Sequence, residues 1–211
     1  MRRVIRDIAM SSGDHRRSQC RGGTSPLEPA PRIIAVQGAA GGTIQDLLAT
    51  LARRWTAAGR RVVGVIEETA EGVPKRNGAA TLRNLRTGAL YDIYQDLGPL
   101  SQACCLDARG FAEACQNVVD DLADADVVVL SKFGKLEAER GGLLAAFTAA
   151  ASLEKPVITA VSPVFSDCYL AFVGPFGAIV PPDEESLHTW GQAPLLPAAL
   201  RASPDARTVL P

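Results

Sequence analysis

The sequence predicts an α/β fold, an open and mostly parallel sheet with helices on both faces and one inserted antiparallel hairpin. Three observations lead there. Apolar runs at residues 32–37, 61–66, 126–130 and 156–161 are rich in Val, Ile and Ala and have the length of strands buried on both faces. Segments of helical period lie between them. The links from helix to next strand are short, which sets successive strands in parallel through right-handed crossovers.

The first strand, residues 32–37, opens into Gly38-Ala39-Ala40-Gly41-Gly42-Thr43. Thr43 is the expected N-cap of the first helix, with Asp46 at the capping-box position. Ile44, Leu47, Leu48, Leu51 and Trp55 share one helical face, and Gly59 stands where a left-handed C-cap is needed. A second strand at residues 61–66 completes a βαβ unit. Strand, glycine-rich turn and amphipathic helix, in that order, have the layout of a P-loop nucleotide-binding unit, so the sheet is expected to be P-loop-NTPase-like. Such a loop ends in Gly-Lys-Ser/Thr, its Lys meeting the β- and γ-phosphates. Here Thr43 follows Gly42 directly and the Lys is missing.

Residues 80–85 and 90–94 are short alternating stretches joined by Arg86-Thr87-Gly88-Ala89, the pattern of an antiparallel hairpin. Asp107 is the expected cap of a second helix, whose Phe111, Cys115, Val118 and Leu122 lie on one face. The DVVVL run at residues 126–130 predicts a central strand that empties into a loop at residues 131–137. A third helix over residues 142–153 leads into the strand at 156–161. A last apolar segment, 178–180, ends at Pro181-Pro182, and a short helix through Trp190 closes the domain. Residues 1–30 hold six Arg, three acidic residues and many Ser, Gly and Pro without an apolar period, the composition of a disordered basic arm. The folded domain is therefore expected over residues 31–192, with a Pro/Ala-rich tail over 193–211.

Composition narrows the function classes. A net charge of −1 over 211 residues lacks the basic excess of general nucleic-acid binders. The apolar runs are too short for membrane insertion or for a signal peptide. Five cysteines, an odd number without CxxC spacing, predict neither a disulfide framework nor a zinc site, so the cytoplasm is the expected compartment. Only His15 and His188 are present, too few for a Ser-His-Asp arrangement or a histidine metal cluster.

Two segments should meet at the carboxyl ends of the strands, where such sheets bind ligands. Gly38, Gly41, Gly42 and Thr43 offer backbone N–H groups at a helix N-terminus, an anion site by dipole and geometry; the plain alternative is a tight turn packed with small residues. The second segment is residues 131–137. A P-loop enzyme normally ends this strand in an acid that holds Mg²⁺; here it ends in Ser131 and Lys132. Lys132, with Lys135, is a candidate for the charge the glycine loop lacks, and both lysines read equally as surface residues. Glu137 remains as a candidate base or metal ligand. Asp96 could reach a metal or a ribose from its loop, and the adjacent Cys104-Cys105 read as redox-active or as two partly buried thiols.

These stretches carry a family resemblance over residues 32–192. Gln95-Asp96-Leu97-Gly98, Cys105-Leu106-Asp107, and Phe133-Gly134-Lys135-Leu136-Glu137-Ala138-Glu139 with Gly141-Gly142-Leu143 resemble an uncharacterised bacterial domain-of-unknown-function family. Its members are often found near molybdate-transport genes and commonly labelled molybdenum ABC transporter ATP-binding proteins. More distantly, the chain is similar to THEP-type P-loop nucleoside-triphosphatases, which share the inserted hairpin and a DEIGKME segment. Against that segment Ser131 stands at the metal-binding Asp and Lys132 at the catalytic Glu, while Gly134, Lys135 and Glu137 match; Thr43 matches the end of the P-loop.

The resemblance implies the P-loop fold and a link to molybdenum handling, with a protein partner in molybdate transport or cofactor assembly. The missing Lys and Asp imply a degenerate NTPase that binds a nucleotide or small oxyanion with little or no hydrolysis. ATP, GTP or molybdate is the expected small anionic ligand, and Mg²⁺ is not expected. Two alternatives stand beside this reading: a divergent nucleoside-triphosphatase or kinase using Lys132 as a relocated lysine with Asp96 or Glu137 on a metal, and a non-catalytic interaction protein.

Overall fold

The computed structural model describes residues 31–69, 80–94 and 107–193. The basic arm, the Cys104-Cys105 pair, Asp96 and all of the tail beyond Ala193 lie outside the described residues. Seven strands form one sheet: β1 (Ile33–Val36), β2 (Val62–Thr69), β3 (Ala80–Asn84), β4 (Leu90–Asp92), β5 (Val127–Leu130), β6 (Val157–Ala160) and β7 (Gly177–Val180). Their order is β4-β3-β2-β5-β6-β1-β7. The five strands from β2 to β7 in that order are parallel, and β3 and β4 add antiparallel at the β2 edge. The expected hairpin is therefore present and extends the sheet.

Among the described residues six α-helices cover the two faces: α1 (Gly41–Ala57), α2 (Ala108–Asp121), α3 (Lys135–Ala138), α4 (Leu144–Ser152), α5 (Ser166–Val173) and α6 (Glu184–Gln192). Strand residues alternate between two cores, as a doubly covered sheet requires. Ile34, Val36, Val127 and Val129 face Ile44, Leu48, Leu51 and Trp55 of α1 and Leu187 of α6. Ile33, Ala35, Val128 and Leu130 face Phe111, Cys115 and Val118 of α2, Phe147 of α4 and Tyr169 of α5. Burying each large side chain of this kind contributes about 1.5–3 kcal/mol.

Local chemistry explains the element ends. Asp107 caps α2 as its sequence position predicts, accepting from Arg109 N–H at 2.8 Å. Asp183 caps α6 by accepting from Glu185 and Ser186 N–H. Trp55 donates to the His188 carbonyl at 3.0 Å, and Arg54 pairs with Glu184 and Glu185, so α6 is clamped to α1. In the middle of β2, Gly64 has φ +136°, and a side chain there would run into the backbone of Val129 in β5.

α5 departs from the sequence expectation, which left residues 162–177 without an element. Its turns bury Tyr169 and Val173, and Tyr169 donates to the Ile33 carbonyl at 3.0 Å. At the sheet edge β7 has only four residues, with Pro175 just before it and Pro181 and Pro182 just after. Among the described residues it pairs with β1 alone.

Candidate functional site

The carboxyl ends of β1, β2, β5 and β6 open into a cavity of about 1640 Å³. Its wall includes Gly38, Gly41 and Gly42 after β1, Glu67 and Glu68 at the end of β2, Lys132, Lys135 and Glu137 after β5, and Ser162 and Phe165 after β6. The structure thus brings the glycine turn and the two lysines to one cavity. Thr43 is exposed and is not part of its wall.

The start of α1 differs from the sequence reading. Ala40, not Thr43, is the N-cap, with φ −61° and ψ 145°, and no side chain caps the helix. Thr43 is the third helical residue, and no capping box with Asp46 forms. The reason is that Gly41 and Gly42 take up the helical conformation; only Gly38, with φ +112°, uses the left-handed freedom of glycine. The first intrahelical bond to cross the cap runs from Ile44 N–H to the Ala40 carbonyl at 3.0 Å. The N–H groups of Gly41, Gly42 and Thr43 are the orphan donors of the first turn.

Glycine at these two positions has no steric cause within the described chain. A Cβ built at Gly41 or Gly42 meets nothing within 4 Å, whereas one at Gly64 or Gly142 collides. Glycine in a helix costs up to about 1 kcal/mol relative to alanine. What the two glycines provide is bare backbone facing the cavity.

Lys132 leaves the end of β5 half-exposed and forms an ion pair with Glu67 at 2.6 Å. Lys135 opens α3 and lies 3.9 Å from Glu139, both well exposed. Glu68 is paired with Arg83 of β3 at 2.6 Å. Three of the acids on the cavity wall are therefore engaged within the chain, counting Glu137.

Glu137 lies in a hydrogen-bonded turn after β5. It is buried, at 5 % exposure, and its two carboxylate oxygens accept from Gly134 N–H and Leu143 N–H, each at 2.9 Å. Gly142, with φ +59°, makes room for the carboxylate, since a Cβ there would strike Glu137 Oε1. The Gly134…Glu137…Gly142-Leu143 pattern is a clasp that folds the chain after β5 back on itself. Its two carboxylate oxygens each accept one backbone N–H. Among the described residues no group of three His, Cys, Asp or Glu is arranged to hold a metal.

Two glutamines escaped the sequence reading. Gln45, the fifth residue of α1, accepts from Glu67 N–H at 2.8 Å and donates to the Ser131 carbonyl at 2.7 Å. Gln37, after β1, donates to Ser166 Oγ at 2.9 Å and more weakly to the Val161 carbonyl at 3.3 Å. Together they tie the ends of β1, β2, β5 and β6 into one rim. Nothing in residue type or spacing marks them, because both partners of each are remote in sequence.

An open, mostly parallel sheet with this glycine turn leading into α1 defines a P-loop-NTPase-like α/β protein. The chain belongs to the family described as protein of unknown function DUF2478, whose model matches residues 33–190. It is 29 % identical over 160 residues to the molybdenum import ATP-binding protein ModC 2 of Bradyrhizobium diazoefficiens. That match covers 75 % of this chain and 18 % of the relative, so the chain spans less than a fifth of that protein's length. Among solved structures it is similar to THEP1 of the hyperthermophile Aquifex aeolicus, with a TM-score of 0.53 and 11 % identity over 76 % of this chain and 98 % of that one. The likeness to THEP1 is one of fold. Among the described residues no helix is long and apolar enough to cross a membrane.

Proposed function

We propose that the protein binds a nucleotide or a small oxyanion at the N-terminus of α1 and turns it over little or not at all. The observation that carries this reading is the start of α1: no side chain caps it, and Gly41 and Gly42 present bare backbone to the cavity with no steric need for glycine. Orphan N–H groups and the helix dipole favour an anion there. Lys132 and Lys135 share the cavity and supply positive charge.

Weak or absent turnover follows from what the site lacks. No Lys follows Gly42, and Ser131 and Lys132 stand where a Mg²⁺-binding acid would end β5. Those missing charges are the ones that stabilise phosphoryl transfer.

The molybdenum link rests on the similarity to ModC 2, a molybdenum import ATP-binding protein. We infer that this chain works with such an ATP-binding protein, in the cytoplasm.

Calorimetric titration of the full chain with ATP, GTP and molybdate, with and without Mg²⁺, tests the proposal. Binding without Mg²⁺-dependent product release is expected, and Gly42→Ala should weaken it while leaving the fold at least as stable. Rapid Mg²⁺-dependent hydrolysis would favour an enzyme using Lys132 as a relocated lysine. No binding of any anion would leave an interaction protein.

A further inference from the structure

Residues 156–182, from the start of β6 to just past β7, contain one charged side chain, Asp167. Much of this stretch is nonetheless at the surface. Asp167, Leu170 and Ala171 are exposed at i, i+3 and i+4 of α5, so they share its outer face. Gly174, Pro175 and Phe176 follow them to the start of β7 and are exposed as well. Leu170 is 42 % exposed and Phe176 67 %, while Tyr169 and Val173 of the same helix are buried in the core. Exposed apolar strips of this kind mark interaction surfaces.

The continuation of the chain past α6 starts beside this strip. Ala193 N–H donates to the Trp190 carbonyl at 3.2 Å, and the Trp190 ring donates to the Pro31 carbonyl at 2.9 Å. The next residue, Arg32, donates from its backbone N–H to the Phe176 carbonyl at 3.0 Å. Residues 194–200 read Pro-Leu-Leu-Pro-Ala-Ala-Leu, without a charge, and residue 201 is Arg. Read away from the end of α6, the strip has the same order: Phe176, then Leu170, then the lone carboxylate of Asp167. The lengths agree too. Eight residues beyond Ala193 reach at most about 26–29 Å, and α5 rises about 12 Å over its eight residues. The remainder is enough to round the β7 edge.

We propose that residues 194–201 dock along the outer face of α5, with Leu195 and Leu196 at Phe176, Leu200 at Leu170 and Arg201 at Asp167. The strip is then a surface for an apolar, singly basic segment of this same chain, and it is closed to other chains while that segment is in place.

The test uses the full chain with labelled Leu methyls and Phe rings. Wild type should show nuclear Overhauser contacts from Leu195 or Leu196 methyls to the Phe176 ring, unchanged over a tenfold range of protein concentration. Leu195→Asp with Leu196→Asp should abolish those contacts and shift the Phe176 and Leu170 resonances. Arg201→Glu should lower the docked population roughly 1.5- to fivefold, the worth of an exposed ion pair, and Asp167→Arg in the same chain should restore it. Melting curves check the fold of each variant, and the leucine pair alone decides the matter if Asp167→Arg does not fold. Phe176 and Leu170 resonances that ignore the leucine substitutions would overturn the proposal. Contacts that appear only between differently labelled copies would overturn it as well and assign the strip to a second copy of the chain.

Discussion

Glu137→Gln separates a structural carboxylate from a chemical one. The native side chain is buried and accepts from Gly134 N–H and Leu143 N–H, both at 2.9 Å. A glutamine of the same shape has one oxygen, so one of those N–H groups must face an NH₂ group. Losing a charge-assisted hydrogen bond and stranding a buried donor costs about 2–3 kcal/mol. For a domain of this size that lowers the melting temperature by roughly 4–12 °C. Glu137→Ala loses both bonds and leaves a gap, at about 3–5 kcal/mol. Differential scanning calorimetry of the three proteins, with anion titrations on those still folded, reads both effects. The expected pattern is a falling melting temperature with ligand affinity unchanged in the folded fraction. A Glu137→Gln protein of native stability that no longer binds or turns over its ligand would refute the clasp and restore the carboxylate to chemistry.

Gly142→Ala should be as damaging as Glu137→Gln, because φ +59° strains any other residue and the new methyl collides with Glu137 Oε1; urea titration reads the loss. Gln45→Ala leaves Glu67 N–H and the Ser131 carbonyl without their protein partner and should cost about 2 kcal/mol, seen as faster hydrogen exchange at the ends of β2 and β5 before global unfolding. Burial holds the Tyr169 hydroxyl well above the ordinary tyrosine value. The unfolded chain therefore loses that proton near pH about 10 while the folded chain keeps it, so the contribution is whole below that pH and falls as pH rises beyond it. Tyr169→Phe should flatten this part of the pH dependence of the urea midpoint between about pH 8 and 11, while costing about 1 kcal/mol at neutral pH through the lost bond to the Ile33 carbonyl.

Much of the fold was legible because burial writes a period into the sequence. The β5 run Val127–Leu130 is fully buried as its composition predicts, and Ile44, Leu48, Leu51 and Trp55 line one side of α1. Asp107 was legible because its cap acts two residues away. α5 was not: Ser-Asp-Cys-Tyr-Leu-Ala-Phe-Val is apolar on nearly every side, so no polar face reveals a helical period. Thr43 misled because a capping signature assumes that glycines precede a helix, and here they begin it.

The site was legible in outline only. The meeting of Gly41 and Gly42 with Lys132 follows from strand ends that share one side of a parallel sheet. The partner of Lys132 could not be read, since Glu67 is 65 residues away on a strand that extends past its apolar run. The inward turn of Glu137 depends on Gly142 adopting a positive φ, which spacing does not disclose.

The prolines around β7 bear on how this molecule behaves in a crowded solution. A row of open N–H and C=O groups invites a strand from another chain, the first step towards swapped dimers and fibrils. Among the described residues the open row at β7 is four residues long, and Pro175 on one side with Pro181 and Pro182 on the other cannot donate to a longer ladder. A foreign strand would find two or three bonds and nowhere to extend. The same prolines make replacement of Pro181 and Pro182 by valine a direct way to turn a well-behaved sheet edge into an aggregating one.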